Sequence, residues 1–66
     1  MKINVWEYNN NLGSKAVNRV HRGVRTFKMT PGAKTSLLEI HFLDGDKYTD
    51  CIINGEEFIE VYNVGV

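Results

Sequence analysis

The feature that most constrains this chain is the regular interruption of short alternating stretches by turn-forming pairs. Asp44-Gly45 and Asn54-Gly55 lie one strand length apart, and Pro31-Gly32 precedes them. Asp-Gly and Asn-Gly pairs flanked by alternating apolar residues are among the strongest short-range hairpin signals. The spacing therefore predicts short antiparallel strands joined by tight turns.

Alternation between the turns is clearest in the C-terminal half. Leu38, Ile40 and Phe42 alternate with Glu39, His41 and Leu43, which is the period of a strand with one buried face. The segment 47–54 places Tyr48, Asp50 and Ile52 on one side and Thr49, Cys51 and Ile53 on the other, and "FIEVYNV" reads as a third strand. These segments predict a three-stranded antiparallel meander from about residue 36 to residue 64.

The N-terminal stretch "KINVWEY" also alternates, with Ile3 and Val5 on one side and Trp6 and Tyr8 on the other. It predicts a further strand. The turn-forming run "NNNLGS", residues 9–14, then ends it.

The apolar residues of the middle segment, 14–29, can be interpreted with either the period of a helix or the period of a strand. Val17, Val20, Val24 and Phe27 fall within one arc at helical spacing, with Ser14 placed as an N-cap. Against a helix, three valines, a threonine and Gly23 are poor helix formers, and the glycine alone costs about 1 kcal/mol relative to alanine. The β interpretation makes 23–29 a strand with a bulge at Gly23, a helical turn or irregular stretch over 14–21, and a type II turn at Pro31-Gly32.

The β interpretation is favoured, and it defines the fold class. We predict a single small domain over 1–66, mainly β, forming a five-stranded antiparallel sheet or a partly closed barrel. If residues 14–29 form an amphipathic helix, the fold becomes β-α-β-β-β. The strand–DG–strand–NG–strand layout resembles small SH3-like barrels in general outline; the resemblance rests on turn spacing and implies an architecture, with no site residue or activity.

Charge is strongly divided along the chain although the total is zero. Residues 1–35 carry seven basic residues and one acidic residue, a net +6, and residues 36–66 carry the reverse, a net −6. This asymmetry predicts pairing of the two halves within the fold, self-association, or separate partners for separate faces. A chain of 66 residues has a small core and gains stability from association, so we expect a homo-oligomer.

Compartment is predicted from what the sequence lacks. The lone Cys51 leaves no cysteine for an internal disulfide and fits a reducing compartment. The N-terminus has no apolar run of signal-peptide type, and no segment approaches the roughly 20 apolar residues of a membrane span. These observations predict a cytoplasmic protein without membrane contact.

Catalytic and metal-site patterns are weak. Cys51, His41 and Asp50 are the one set resembling a nucleophile, a base and an orienting acid, but strand parity favours an inert, buried cysteine. No paired C-x-x-C or H-x-x-x-H spacing points to zinc, and the glycines lack phosphate-loop spacing. The chain is therefore expected to be no enzyme and to need no metal or cofactor.

The segment "VNRVHRGVRTFK" is the main candidate for a binding surface because it is rich in arginine and contains no acid. Arginine suits phosphate, carboxylate and aromatic partners, and aromatic residues are predicted beside it. The candidate binding residues are Arg19, Arg22, Arg25, Lys28, Trp6, Tyr8 and His21.

Two functions fit these residues. The leading prediction is a non-enzymatic binding protein that docks on a protein partner, such as a small inhibitor or adaptor of the kind found in phages and mobile elements. The alternative is an anion binder for single-stranded nucleic acid or a small nucleotide, with arginines on the phosphates and Trp6 or Tyr8 stacking on bases. Zero net charge argues against tight non-specific binding of DNA.

Overall fold

The computed structural model of the chain describes residues 1–9 and 13–63. These residues form six strands, and none of them is helical. The strands are β1 (Lys2–Asn9), β2 (Ser14–His21), β3 (Val24–Thr30), β4 (Thr35–Phe42), β5 (Lys47–Ile53) and β6 (Glu57–Tyr62). The mainly β prediction is confirmed. No helix capable of spanning a membrane occurs in 1–9 or 13–63.

The strands form two three-stranded antiparallel sheets. Sheet A has the order β2-β1-β6, with Trp6 opposite both Val17 of β2 and Phe58 of β6. Sheet B has the order β3-β4-β5, with Leu38 opposite both Met29 and Asp50. The five-stranded sheet is wrong, and the two sheets do not close into a barrel.

The core lies between the two sheets because each contributes the alternate residues of its central strand. Ile3 and Val5 come from β1, and Leu38 and Ile40 come from β4; all four are fully buried. Val24 and Ile52 complete the cluster. The sheets also meet at one corner, where the Val24 N–H donates to the Met1 carbonyl at 3.0 Å and the terminal ammonium of Met1 donates to the Val24 carbonyl at 2.8 Å.

Residues 14–29 contain two strands, so the helix alternative over 14–29 is wrong, as is the irregular stretch over 14–21. Both strands are bulged: β2 has an extra residue, Asn18, between the partners of Val5 and Trp6, and β3 has an extra residue, Arg25. Gly23, with φ of +67°, lies in the short connection that carries the chain from sheet A to sheet B. The predicted bulge therefore lies just after Gly23, inside β3.

The C-terminal meander is half correct. β4 and β5 pair as predicted around the Asp44–Asp46 turn, where Gly45 has φ of +94°. Asn54-Gly55 is also a turn, with φ of +83° at Gly55, but the chain leaves it for the other sheet and β6 pairs with β1. The local sequence predicts the turn at Asn54-Gly55. It does not predict the partner of β6, because that partner depends on long-range packing of the apolar faces.

The turn at Pro31-Gly32 differs from the predicted type II form. That form requires a positive φ at Gly32, and Gly32 is not among the glycines with positive φ. The glycine is needed for space instead, because a Cβ at this position would overlap the carbonyl oxygen of Thr35. The predicted 9–14 turn falls partly on residues 10–12, which lie outside the described residues.

Candidate functional site

A charged cluster joins the two sheets on the inner face of sheet A. Arg19 of β2 lies opposite Val5, so its side chain points toward the core side of the sheet. Its Nε donates to Oδ2 of Asp50 at 2.8 Å and its Nη1 donates to Oε2 of Glu57 at 3.0 Å. The two carboxylates are 9% and 5% exposed, which makes Arg19 the principal cation for two nearly buried acids.

Further polar groups complete this inter-sheet cluster, which consists of Asn18, Arg19, His21, Asp50 and Glu57. Asn18 Nδ2 donates to Oε2 of Glu57 at 2.8 Å, and His21 Nε2 lies 3.2 Å from Oδ2 of Asp50. The His21 ring also packs against another aromatic ring, that of Tyr48, at a centroid distance of 5.5 Å. The cluster connects β2, β5 and β6, so it ties the edges of both sheets together.

The pKa values in the cluster follow from these contacts. Burial of Glu57 tends to raise its pKa, but hydrogen bonds from the Ile53 N–H, Arg19 and Asn18 outweigh burial and hold the pKa below its ordinary value. Burial tends to lower the pKa of Arg19, and its bonds to Asp50 and Glu57 reverse that and raise it. All charges in the Arg19–Glu57 pair are therefore held in their ionised forms at neutral pH.

The remaining basic candidates lie elsewhere and have no such partners. Arg22 is in the β2–β3 connection and Arg25 is the bulged residue of β3; both are exposed, and neither forms an ion pair within 1–9 and 13–63. Lys28 is exposed on β3 opposite Glu39 and helps to lower the pKa of that carboxyl, after a larger effect of the His41 hydrogen bond. The predicted arginine strip is thus divided between an internal ion pair and two free surface groups.

Trp6 and Tyr8 lie on the opposite, outer face of sheet A. Because Ile3 and Val5 point into the core, strand alternation directs these two side chains outward. The register brings further apolar groups from the neighbouring strands to the same face. We refer to the resulting surface as the aromatic face; it consists of Trp6, Tyr8, Val17, Val20, Phe58 and Tyr62.

The aromatic face is largely open to solvent. Tyr8, Val17 and Val20 are each more than 40% exposed, and Phe58 is 36% exposed. The Trp6 and Phe58 rings are stacked at 6.5 Å with an interplanar angle of 11°. The two nearly parallel rings, one on the central strand β1 and one on the edge strand β6, form an aromatic platform.

Lys15 lies across this platform. Its Nζ is 4.6 Å from the centroid of the Trp6 ring and 5.4 Å from that of Phe58, and it forms a 3.2 Å ion pair with Glu60. The Glu60 carboxylate accepts a second hydrogen bond from the Tyr62 hydroxyl. The bonds from Tyr62 and Lys15 lower the pKa of Glu60, and the bond to Glu60 raises the pKa of Tyr62. The side chain of Lys15 is half exposed, so it is a cover that a partner can displace.

A buried polar atom on this face lacks a partner. Asn4 Oδ1 forms no hydrogen bond within the described residues, and Asn4 occupies the outward position of β1 that precedes Trp6. A buried polar group without a partner is uncommon in folded proteins and costs about 1–3 kcal/mol. Within the described residues, the aromatic face is therefore a place where a buried polar atom remains without a hydrogen bond.

The structure does not bring the predicted binding residues together. Trp6 and Tyr8 share the aromatic face, Arg19 and His21 share the inter-sheet cluster on the other side of sheet A, and the free arginines belong to neither. Phe58, Val17 and Val20 were missed as candidates. The outward parity of β1 was readable from the sequence, but only the β1–β6 register reveals that Phe58 stacks beside Trp6.

Cys51, His41 and Asp50 also do not form one site. Cys51 is exposed on the outer face of sheet B, so its predicted burial is wrong. The sequence correctly placed Cys51 on the same face as Ile53, but no described residue covers that face. His41 Nε2 is 2.7 Å from Glu39 Oε1, while Asp50 points inward to Arg19. Among the described residues, no three His, Cys, Asp or Glu side chains converge as a metal site.

Comparison with known proteins adds no relative: no protein family model, no curated protein and no solved structure matches this chain.

Proposed function

We propose that this chain is a non-enzymatic binding protein that docks on another protein through the aromatic face of sheet A. The observation that carries the proposal is the stacked pair of Trp6 and Phe58, covered only by the half-exposed side chain of Lys15 and flanked by exposed valines and Tyr8. Clustered aromatic side chains are enriched at the centres of protein interfaces, where they bury large areas at little entropic cost. Single exposed apolar residues need no explanation, but a contiguous set on one sheet face marks an interaction surface.

The charges around the platform favour a protein partner. Lys2 and Lys15 lie over aromatic rings, and Glu60 stands between them in the sheet, so the face carries both signs. A partner surface with an apolar centre and a mixed polar rim complements this arrangement. Displacing Lys15 from the rings exposes the platform and leaves the ammonium free to contact the rim of the partner.

Single-stranded nucleic acid is the competing ligand, and the arrangement of arginines weighs against it. Stacking proteins of that class combine aromatic platforms with a cationic groove along the phosphate backbone. Arg19 is the one arginine of β2, but its side chain points to the opposite side of sheet A from the platform and is bound to Asp50 and Glu57. The free arginines, Arg22 and Arg25, lie in the connection and on the edge of sheet B.

The proposal is tested with proteins captured from a lysate and then purified. Trp6 is the sole tryptophan of the chain, so its fluorescence reports directly on the aromatic face. A genuine partner shifts the Trp6 emission to shorter wavelength, and its affinity falls at least about tenfold with Phe58→Ser, the loss expected at an interface hot spot. Leu37→Ser is the matched control, because Leu37 is similarly exposed but lies on the outer face of sheet B.

Three results contradict the proposal: equal effects of the two substitutions on affinity, unchanged Trp6 emission on binding, or a response of Trp6 to single-stranded DNA that exceeds the response to every captured protein. The last result assigns the face to nucleic acid instead.

A further inference from the structure

The four sheet edges differ in how well they are protected, and one of them is open. Edge strands expose backbone groups that can pair with another chain, and proteins block them with bulges, charges or covering groups. In this chain β2 and β6 are the edges of sheet A, and β3 and β5 are the edges of sheet B.

Three edges carry blocking features. β2 and β3 are each bulged, at Asn18 and Arg25. β5 is capped by side chains: Arg19 Nη2 donates to the Cys51 carbonyl at 3.4 Å, and the Ile53 N–H donates to Glu57 Oε1 at 3.0 Å. Both of these backbone groups point away from β4, because Asn54 bonds to Lys34 and alternation then makes Ile52, not Cys51 or Ile53, a hydrogen-bonded position of the β4–β5 ladder.

β6 has neither a bulge nor a side chain that caps its edge groups within the described residues, and its two acids are held by cations of β2, Glu57 by Arg19 and Glu60 by Lys15. Its register with β1 is unbroken from Glu57 to Tyr62, and it contains no lysine or arginine. The Tyr8 N–H donates to the Glu56 carbonyl at 2.8 Å, which makes Tyr8–Glu56 a hydrogen-bonded pair. Antiparallel ladders alternate, so the N–H and C=O groups of Ile59 and Val61 point away from β1 to the free edge.

We infer that β6 pairs with β6 of a second copy of this chain, so that two sheets A join into one six-stranded sheet. The partner is a second copy because a regular free strand is self-complementary about a two-fold axis. The axis lies at Ile59, which then faces its symmetry mate. The neighbouring register would place two Glu60 carboxylates directly opposite each other, and like charges in that position are destabilising.

The dimer also enlarges the aromatic face. Three strands about 4.8 Å apart and seven residues at about 3.3 Å each give one face of roughly 300 Å², well below the ~800 Å² per partner of a standard interface. Joining two sheets through β6 places the two Phe58 side chains on one continuous surface of about twice that area. This inference stands on the edge geometry and does not rest on the proposed docking function.

Amide hydrogen exchange by NMR tests the inference on the unaltered chain. The Ile59 and Val61 amides are expected to become protected as the protein concentration rises toward about 1 mM, the range in which a small interface is populated. The Phe58 and Glu60 amides, which face β1, are expected to be protected at every concentration. A strict monomer at about 1 mM, or concentration-dependent protection on β2 or β3 instead, overturns the inference.

Val61→Pro provides the matched perturbation. Val61 is 37% exposed, and its N–H is not used by β1, so proline removes the edge donor while the β1–β6 ladder stays intact. Sedimentation is expected to show a monomer for Val61→Pro and a dimer of twice 7.5 kDa for the control Val61→Thr at the same concentration. A dimeric Val61→Pro refutes the β6 interface, and the exchange measurement decides the question if this variant does not fold.

Discussion

Replacing Arg19 with methionine isolates the energetic role of the inter-sheet cluster. The substitution keeps an unbranched apolar stem but leaves Asp50 and Glu57 without their shared cation, at side-chain exposures of 9% and 5%. Removing one partner of a buried ion pair costs about 3–5 kcal/mol. Arg19 itself is 31% exposed, so solvent reduces this figure, and we expect a loss of about 2–3 kcal/mol.

This loss is large for a chain of this size. Native domains have about 0.05–0.15 kcal/mol of stability per residue, which for 66 residues gives about 3–10 kcal/mol in total. The expected decrease in Tm is about 10–20 °C. Urea denaturation at pH 7, monitored by circular dichroism, measures the change in unfolding free energy and the slope of that free energy against urea concentration.

Arg22→Met is the control, because Arg22 is an exposed arginine without an ion pair in the described part of the chain. Its unfolding free energy should stay within about 0.5 kcal/mol of the original chain. The reasoning is refuted if Arg19→Met also stays within that margin, since the two acids would then be adequately solvated without the guanidinium.

Three further substitutions test an acid of the inter-sheet cluster, a turn and the core. The folded-state pKa of Glu57 lies below its ordinary 4.5, so its stabilisation is complete above that pH and is lost as the pH falls through the folded value; Glu57→Gln should therefore be less stable at pH 7 and lose less stability on acidification from about pH 5 to pH 3, as followed by chemical denaturation at each pH. Gly32→Ala forces a methyl group against the backbone carbonyl of Thr35 and should lower the unfolding free energy by about 1–3 kcal/mol, and an unchanged Tm would show that this turn relaxes freely. Leu38→Ala in the core should cost about 2–5 kcal/mol in urea titrations, whereas Leu37→Ala, one residue away and 47% exposed, should cost less than about 0.5 kcal/mol; similar values for the two would contradict the assignment of the faces of β4.

The helix-like spacing in the middle of the sequence is a product of the bulges. Val17 and Val20 share the outer face of sheet A although they are three residues apart, because Asn18 adds one residue between them. Val24 and Phe27 share the inner side of sheet B for the same reason, with Arg25 as the added residue. A bulge turns the two-residue period of a strand into a three-residue step, so periodicity alone cannot separate a bulged strand from a helix. Residue type was the better guide, since valine and glycine both disfavour a helix.

Local signals predicted the core faces of β1, β4 and β5 and the pairing of β4 with its two neighbours, but not the partner of β6. The residues that β1, β4 and β5 contribute to the core follow from alternation, and the Asp-Gly and Asn-Gly turns lie where they were expected. The pairing of β6 with β1 could not be predicted, because the Asn54-Gly55 turn is compatible with either a hairpin or a crossing between sheets. That pairing places Phe58 beside Trp6, and without it the sequence shows two separate aromatic residues rather than a platform.

The pairing of β1 with β6 also predicts an order of events in folding. Sheet B is assembled from strands that follow one another along the chain, so its two ladders require only short loops to close. Sheet A needs Lys2 to meet Tyr62, and the entropy of closing so long a loop is lost before the ladder forms. Contacts of this range slow folding, so we expect sheet B to provide the early template and the β1–β6 ladder to limit the rate. The aromatic face would then be the last surface of the molecule to acquire its shape, since its platform does not exist until the most distant strands have met.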